Sequence, residues 1–170
     1  VDAAITMADA SADAATVAAS QVVGAAGGTV AVTDPTSPLL GTQVVIPPGA
    51  LATPTTITIG TSTTAASLGL PGSVLVTDFG PSGTVFAQPV TITIKYRAQY
   101  LTDGQFTDPR ILKVVAMAAG RARETLRTTA QDTSALTISA RTTHFTPFAA
   151  LGPSAATLNG DYFYASTSYA

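Results

Sequence analysis

The chain's one histidine, His144, stands two residues ahead of the Thr146 hydroxyl. An imidazole within reach of a hydroxyl is the minimal pair for nucleophilic chemistry: the base takes the proton and the oxygen attacks a carbonyl. A hydrolase triad needs more, namely a nucleophile on an exposed elbow and an acid to orient the base. No elbow motif occurs in this chain. The plainer reading of the same residues is structural. Phe145 and Phe148 then belong to the core side of a last strand, and His144 packs or caps the turn beside them. Pro147 further restricts Thr146 to extended backbone. No catalytic residue is therefore assigned, and His144, Phe145 and Thr146 stand as the one group to test.

The remaining reactive side chains point to less. There is no cysteine, which excludes disulfides, thiolate metal sites and cysteine nucleophiles. Asp103-Gly104-Gln105-Phe106-Thr107-Asp108 places two carboxylates in one loop, short of the ligand density of a calcium loop. Asp34 and Asp78 read as turn residues. Arg121-Ala122-Arg123-Glu124 reads as a solvated hairpin tip, and Gly27-Gly28 is no phosphate loop because no helix follows it. The expectation is a non-enzymatic protein with no cofactor and no metal.

Composition agrees with that expectation. Hydrophobic residues make up 46% of the 170 and charged residues only 11%, well below the usual quarter. A net charge of −2 leaves no basic footprint for nucleic acid. All eight basic residues lie between Lys95 and Arg141, while the first 94 residues carry only Asp2, Asp9, Asp13, Asp34 and Asp78. The longest clean apolar run, residues 114–119, is far too short to span a bilayer.

The elements that must hold these residues are strands. Residues 29–33 and 55–59 alternate apolar and polar with period two, and 42–46 is stopped by Pro47-Pro48-Gly49. Further strands are predicted at 74–79, 90–96, 111–118, 124–129, 135–140 and 145–151, with a loop and one helical turn over 100–108. Short strands separated by turn signals predict an all-β antiparallel sandwich over residues 22–152. Its core should contain Ile46, Ile57, Ile59, Phe79, Phe86, Ile92, Ile94, Val114, Ile138 and Phe148. An Ala-rich N-terminal segment, 1–21, precedes the sandwich, and a linker and β-prone tail, 153–170, follows it.

Val44-Val45-Ile46-Pro47-Pro48-Gly49-Ala50-Leu51, with 55–59 after it, resembles the opening of ZU5 domains. So does Phe79-Gly80-Pro81-Ser82-Gly83 through Phe86, Pro89 and Tyr96, and Thr143-His144-Phe145-Thr146-Pro147-Phe148 is similar to the family's close. The resemblance covers residues 25–151 and implies a β-sandwich that engages other proteins, of the kind found in bacterial surface proteins. It also implies a reaction to consider, since some ZU5 domains cut themselves between Phe and Ser of a His-Phe-Ser sequence. Here the cut would fall between Phe145 and Thr146, with Thr146 as nucleophile and His144 as base.

The tail carries three of the five tyrosines and no charge after Asp161. Tyr162, Phe163, Tyr164 and Tyr169 are its candidate interaction residues. A lone strand of this composition is a pairing hazard unless something receives it. The expected role is thus an extracellular or cell-surface bacterial module, freed of a secretory leader. Its terminal segments would join it to copies of itself or to other surface proteins as a filament or surface-assembly subunit. The alternatives are a spacer or ligand-binding domain of a larger surface protein, or a self-cleaving domain.

Overall fold

A computed structural model describes residues 16–117 and 123–153. Eleven strands follow in chain order: β1 (Thr16–Val23), β2 (Gly28–Ala31), β3 (Gln43–Ile46), β4 (Thr55–Thr61), β5 (Val76–Gly80), β6 (Val85–Lys95), β7 (Lys113–Ala116), β8 (Glu124–Leu126), β9 (Thr128–Asp132), β10 (Thr137–His144) and β11 (Pro147–Leu151). One short helix, α1 (Ala98–Asp103), interrupts them. The strands form two sheets, one of order β1-β4-β5-β11-β7-β8 and the other of order β2-β3-β6-β10-β9. Every described pairing in both sheets is antiparallel. The molecule is the all-β sandwich that the alternation predicts.

Alternation shows in the burial of single strands. Along β6, Val90, Ile92 and Ile94 are buried while Thr91, Thr93 and Lys95 between them are half-buried. β4 does the same with Ile57 and Ile59. All ten core residues read from the sequence are buried, in one cluster shared by both sheets. Pro89 interrupts β6 without breaking it. The β6–β10 register slips between Thr142 and His144, opposite residues 86–89, so the ladder skips the position that lacks an N–H.

Three elements differ from the reading above. The first strand begins at Thr16, inside the segment read as an Ala-rich leader, and pairs with β4 from Thr16↔Thr61 to Val23↔Thr55. It is an edge strand with Val17 and Val22 both exposed, so it carries no alternation to read. Residues 124–129 are not one strand. The chain breaks at the exposed Arg127, and β8 joins the six-stranded sheet while β9 joins the five-stranded one. Finally, the 100–108 region is anchored. Tyr100 in α1 is buried, stacks edge-on against Phe106 at 5.4 Å, and its hydroxyl accepts the Gly152 N–H at 3.1 Å.

The turns of the Pro-Pro-Gly and Gly-Pro-Ser-Gly stretches brace the sandwich. Gly49 N–H donates to Ala25 O at 2.8 Å, tying the 47–50 turn to the turn that joins β1 to β2. Ala87 N–H donates to Ala50 O at 3.0 Å, tying the same turn to β6.

Candidate functional site

The His144-Phe145-Thr146 sequence is where the chain changes sheets. β10 ends at His144 in the five-stranded sheet and β11 starts at Pro147 in the six-stranded one. Phe145, fully buried, plugs the gap between them. It stacks on Phe79 at 5.4 Å and meets Phe86 edge-on at 4.7 Å, and Phe79 in turn meets Phe148 at 5.9 Å. Its backbone is held on both sides: Phe145 N–H donates to Thr84 O at 2.9 Å, and its carbonyl accepts the Gly83 N–H at 3.1 Å. The turn 80–83 thus straps the crossover to the start of β6.

A groove of about 840 Å³ opens over this crossover. Val17, Asp78, Val85, Met117, His144 and Thr146 are among its lining residues, drawn from strands far apart in sequence. Val85 is 75% exposed and Val17 54%.

The chemistry of the crossover follows from its hydrogen bonds. For self-cleavage, the Thr146 hydroxyl must pass its proton to a base while its oxygen attacks the Phe145 carbonyl. The Gly83 N–H is placed to stabilise charge on that carbonyl oxygen. The proton route is the missing part. Thr146 Oγ1 donates to Pro147 O at 3.4 Å, and no hydrogen bond among the described residues joins it to His144. His144 Nε2 instead lies 4.0 Å from the Glu124 carboxylate. Its backbone N–H donates to Thr142 Oγ1 at 3.3 Å, and its carbonyl accepts from that same hydroxyl at 2.9 Å. The threonine is therefore not activated in this arrangement. Intact mass of the purified protein should show one species, and Thr146→Ala should leave it unchanged. Two fragments meeting at Phe145–Thr146, lost in Thr146→Ala, would contradict this.

The other sequence candidates are dispersed. Asp34 does shape a turn: its Oδ1 accepts the Thr36 hydroxyl at 2.7 Å and the Thr36 N–H at 2.8 Å. Those bonds, the hydroxyl first, hold the Asp34 carboxyl below its ordinary range. Asp78 is not a turn residue. It lies within β5, and its Oδ2 accepts Ser62 N–H at 3.2 Å and Thr63 Oγ1–H at 3.3 Å where β4 ends. A carboxylate was needed across the strand pair, which a local turn motif does not reveal. Asp103 Oδ1 accepts from Gln99 Nε2 at 2.5 Å, while Asp108 Oδ1 accepts the Arg110 N–H at 2.9 Å. No group of three or more potential metal-ligating side chains occurs among the described residues. Arg123 is not free in solvent: its Nη2 donates to Leu68 O at 2.6 Å. Tyr162, Phe163, Tyr164 and Tyr169 lie outside the described residues.

Two features escaped the sequence reading. The groove has no local signature, because its walls come from residues 17, 78, 85, 117 and 144 together. The edge strand β1 does have a weak one, an uncharged run of eight residues ending in Val22-Val23.

A family model described as ZU5 domain matches residues 19–107, just over half of the chain. No curated protein matches it. The matched region runs from β1 to the loop after α1, so β7 to β11, with the His144 crossover, lie beyond it. They are nonetheless integral to the sandwich, since β10 and β11 sit inside the two sheets and not at their edges.

Proposed function

The chain belongs to the ZU5 family, a family of protein-interaction modules, and from that premise we propose a non-enzymatic subunit of an extracellular assembly. In this reading it is a bacterial cell-surface protein, exported behind a leader that is removed, and it joins copies of itself through its terminal segments. The observation that carries the reading is where the sandwich stops. Its last strand, β11, ends at Leu151 within the six-stranded sheet, and a stretch with four aromatic residues and no charge, 162–169, follows in sequence. A chain that adds such a strand to a neighbour's sheet edge pairs the backbone groups of both and covers its aromatic side chains. Donor and acceptor are different surfaces, so the contact runs head to tail and propagates unless it closes into a ring.

Low charge supports the same reading, since weakly polar surface is covered by neighbours at little desolvation cost. No helix among the described residues is long and apolar enough to cross a membrane. Static light scattering on the full chain at rising concentration tests the proposal. Growth beyond the mass of one chain is expected, and removing residues 158–170 should return the particles to that mass. A full chain that stays monomeric at high concentration would overturn it and leave a spacer or ligand-binding domain of a larger surface protein.

A further inference from the structure

We propose that the free edge of β1 is the acceptor, taking residues 162–169 of a second copy of this chain as an added antiparallel strand; this rests on the assembly reading above.

Four strands end the two sheets: β1 and β8 in one, β2 and β9 in the other. Exposed edges invite pairing, and proteins blunt them by making them short or by placing charge on them. β8 has three residues and carries Glu124, β2 has four residues, and β9 has five and ends at Asp132. β1 has eight residues and no charge. Its register breaks once, between Val17 and Ala19, and is regular from Ala19 to Val23. Among the described residues nothing pairs with its outer side. Val17 and Val22, exposed at 54% and 62%, stand beside that side.

The proposed occupant matches this edge in chemistry. Residues 162–169 read Tyr-Phe-Tyr-Ala-Ser-Thr-Ser-Tyr, so neither strand would desolvate a charge on pairing. Aromatic side chains set against valines are among the favourable cross-strand pairs.

Direction selects a second copy over the same chain. From the pairings β1–β4, β4–β5 and β5–β11, Thr16 lies level with Phe148, so β11 runs toward the end of the sheet at which β1 begins. A tail turning back from Leu151 would therefore run parallel to β1. Reach is not the obstacle. The outer side of β1 is four strand spacings from β11, about 19 Å, and the eight residues 154–161 extend to about 26–29 Å. Orientation is: a tail on its own β1 would be the first parallel pair in a sandwich whose described pairs are all antiparallel, and parallel pairing is the weaker ladder. A neighbouring molecule can turn to present the same strand antiparallel.

The test uses full-length chains. Sedimentation velocity is run on the wild type, on wild type with a tenfold excess of synthetic peptide 158–170, and on Val17→Lys/Val22→Lys. Lysines on an edge strand blunt it without touching the core. The wild type should sediment as oligomers, the peptide should cap them, and the lysine variant should run as a monomer with an unchanged far-UV circular dichroism spectrum. A wild type that is monomeric overturns the assembly reading and this inference with it. Oligomers that the peptide disperses but the lysines do not would place the acceptor on another edge, overturning this inference while the assembly reading stands. A second measurement covers a lysine variant that misfolds. The chain has no cysteine, so Val22→Cys and Phe163→Cys chains are mixed and oxidised. Mixed disulfide dimers support the contact. Their absence, with the wild type still oligomeric, overturns it. A Val22→Cys/Phe163→Cys chain that closes on itself at high dilution, with no mixed dimers, overturns the second-copy assignment.

Discussion

Phe145→Ala should lower the unfolding free energy by about 3–5 kcal/mol, the usual range for removing a buried phenylalanine ring. That is a large share of the roughly 5–15 kcal/mol that holds a typical domain together. The position concentrates several effects. The ring is fully buried at the point where the chain passes from one sheet to the other. It contacts Phe79 and Phe86, which belong to opposite sheets, and each aromatic pair contributes about 0.5–1.5 kcal/mol beyond burial. Its backbone is strapped through Gly83 and Thr84, so the surroundings have little freedom to collapse into the cavity. Urea unfolding followed by tyrosine fluorescence measures the change. A loss under about 1 kcal/mol, the scale of a well-accommodated core swap, would show that Phe145 is not the plug between the sheets.

Gly27→Ala should cost about 2–5 kcal/mol, although it adds one methyl group at a surface turn. Gly27 has φ of +73°, and a non-glycine residue held in the left-handed region costs about 1–3 kcal/mol. A Cβ there would lie 2.3 Å from Ile46 O and 2.8 Å from the Pro47 carbonyl carbon. Those are backbone atoms of the turn that Gly49 N–H ties back to Ala25 O, and overpacking of this sort adds about 1–3 kcal/mol. Gly69→Ala is the control. Its φ is +68° but nothing lies within 4 Å of the added methyl, so it carries the backbone strain alone. Equal losses at the two sites would show that the approach to Ile46 is not rigid.

The strands and the core were legible because their side chains alternate between a buried and a wetter face. Ile57 and Ile59, or Ile92 and Ile94, announce both the strand and its inward side. Where a residue's neighbours across the sheet matter more than those along the chain, the sequence was silent. Glu124 to Thr129 read as one strand because nothing local says that Leu126 and Thr128 go to different sheets. Asp78 passed for a turn residue because its partners, Ser62 and Thr63, are supplied by another strand. β1 was lost in the Ala-rich stretch because an edge strand exposed on both faces has no period to detect. His144, Phe145 and Thr146 stood out correctly as neighbours, but their proton route was not visible. It depends on where each side chain's own partners lie, Pro147 O for the threonine and Glu124 for the histidine.

The shared level of Thr16 and Phe148 also sets how the domain bears tension. Both ends of the described sandwich leave from the same side of the six-stranded sheet, with β4 and β5 between β1 and β11. A pull on the two ends is directed across the strands instead of along them. Under such a load β1 peels from β4 one hydrogen-bonded pair at a time, like a zip, whereas a load along the strands would have to break all the pairs together. The domain stretched by its own termini should yield at low force and give first at β1. A molecular chain built from it would act as a soft, extensible tether and not as a stiff rod.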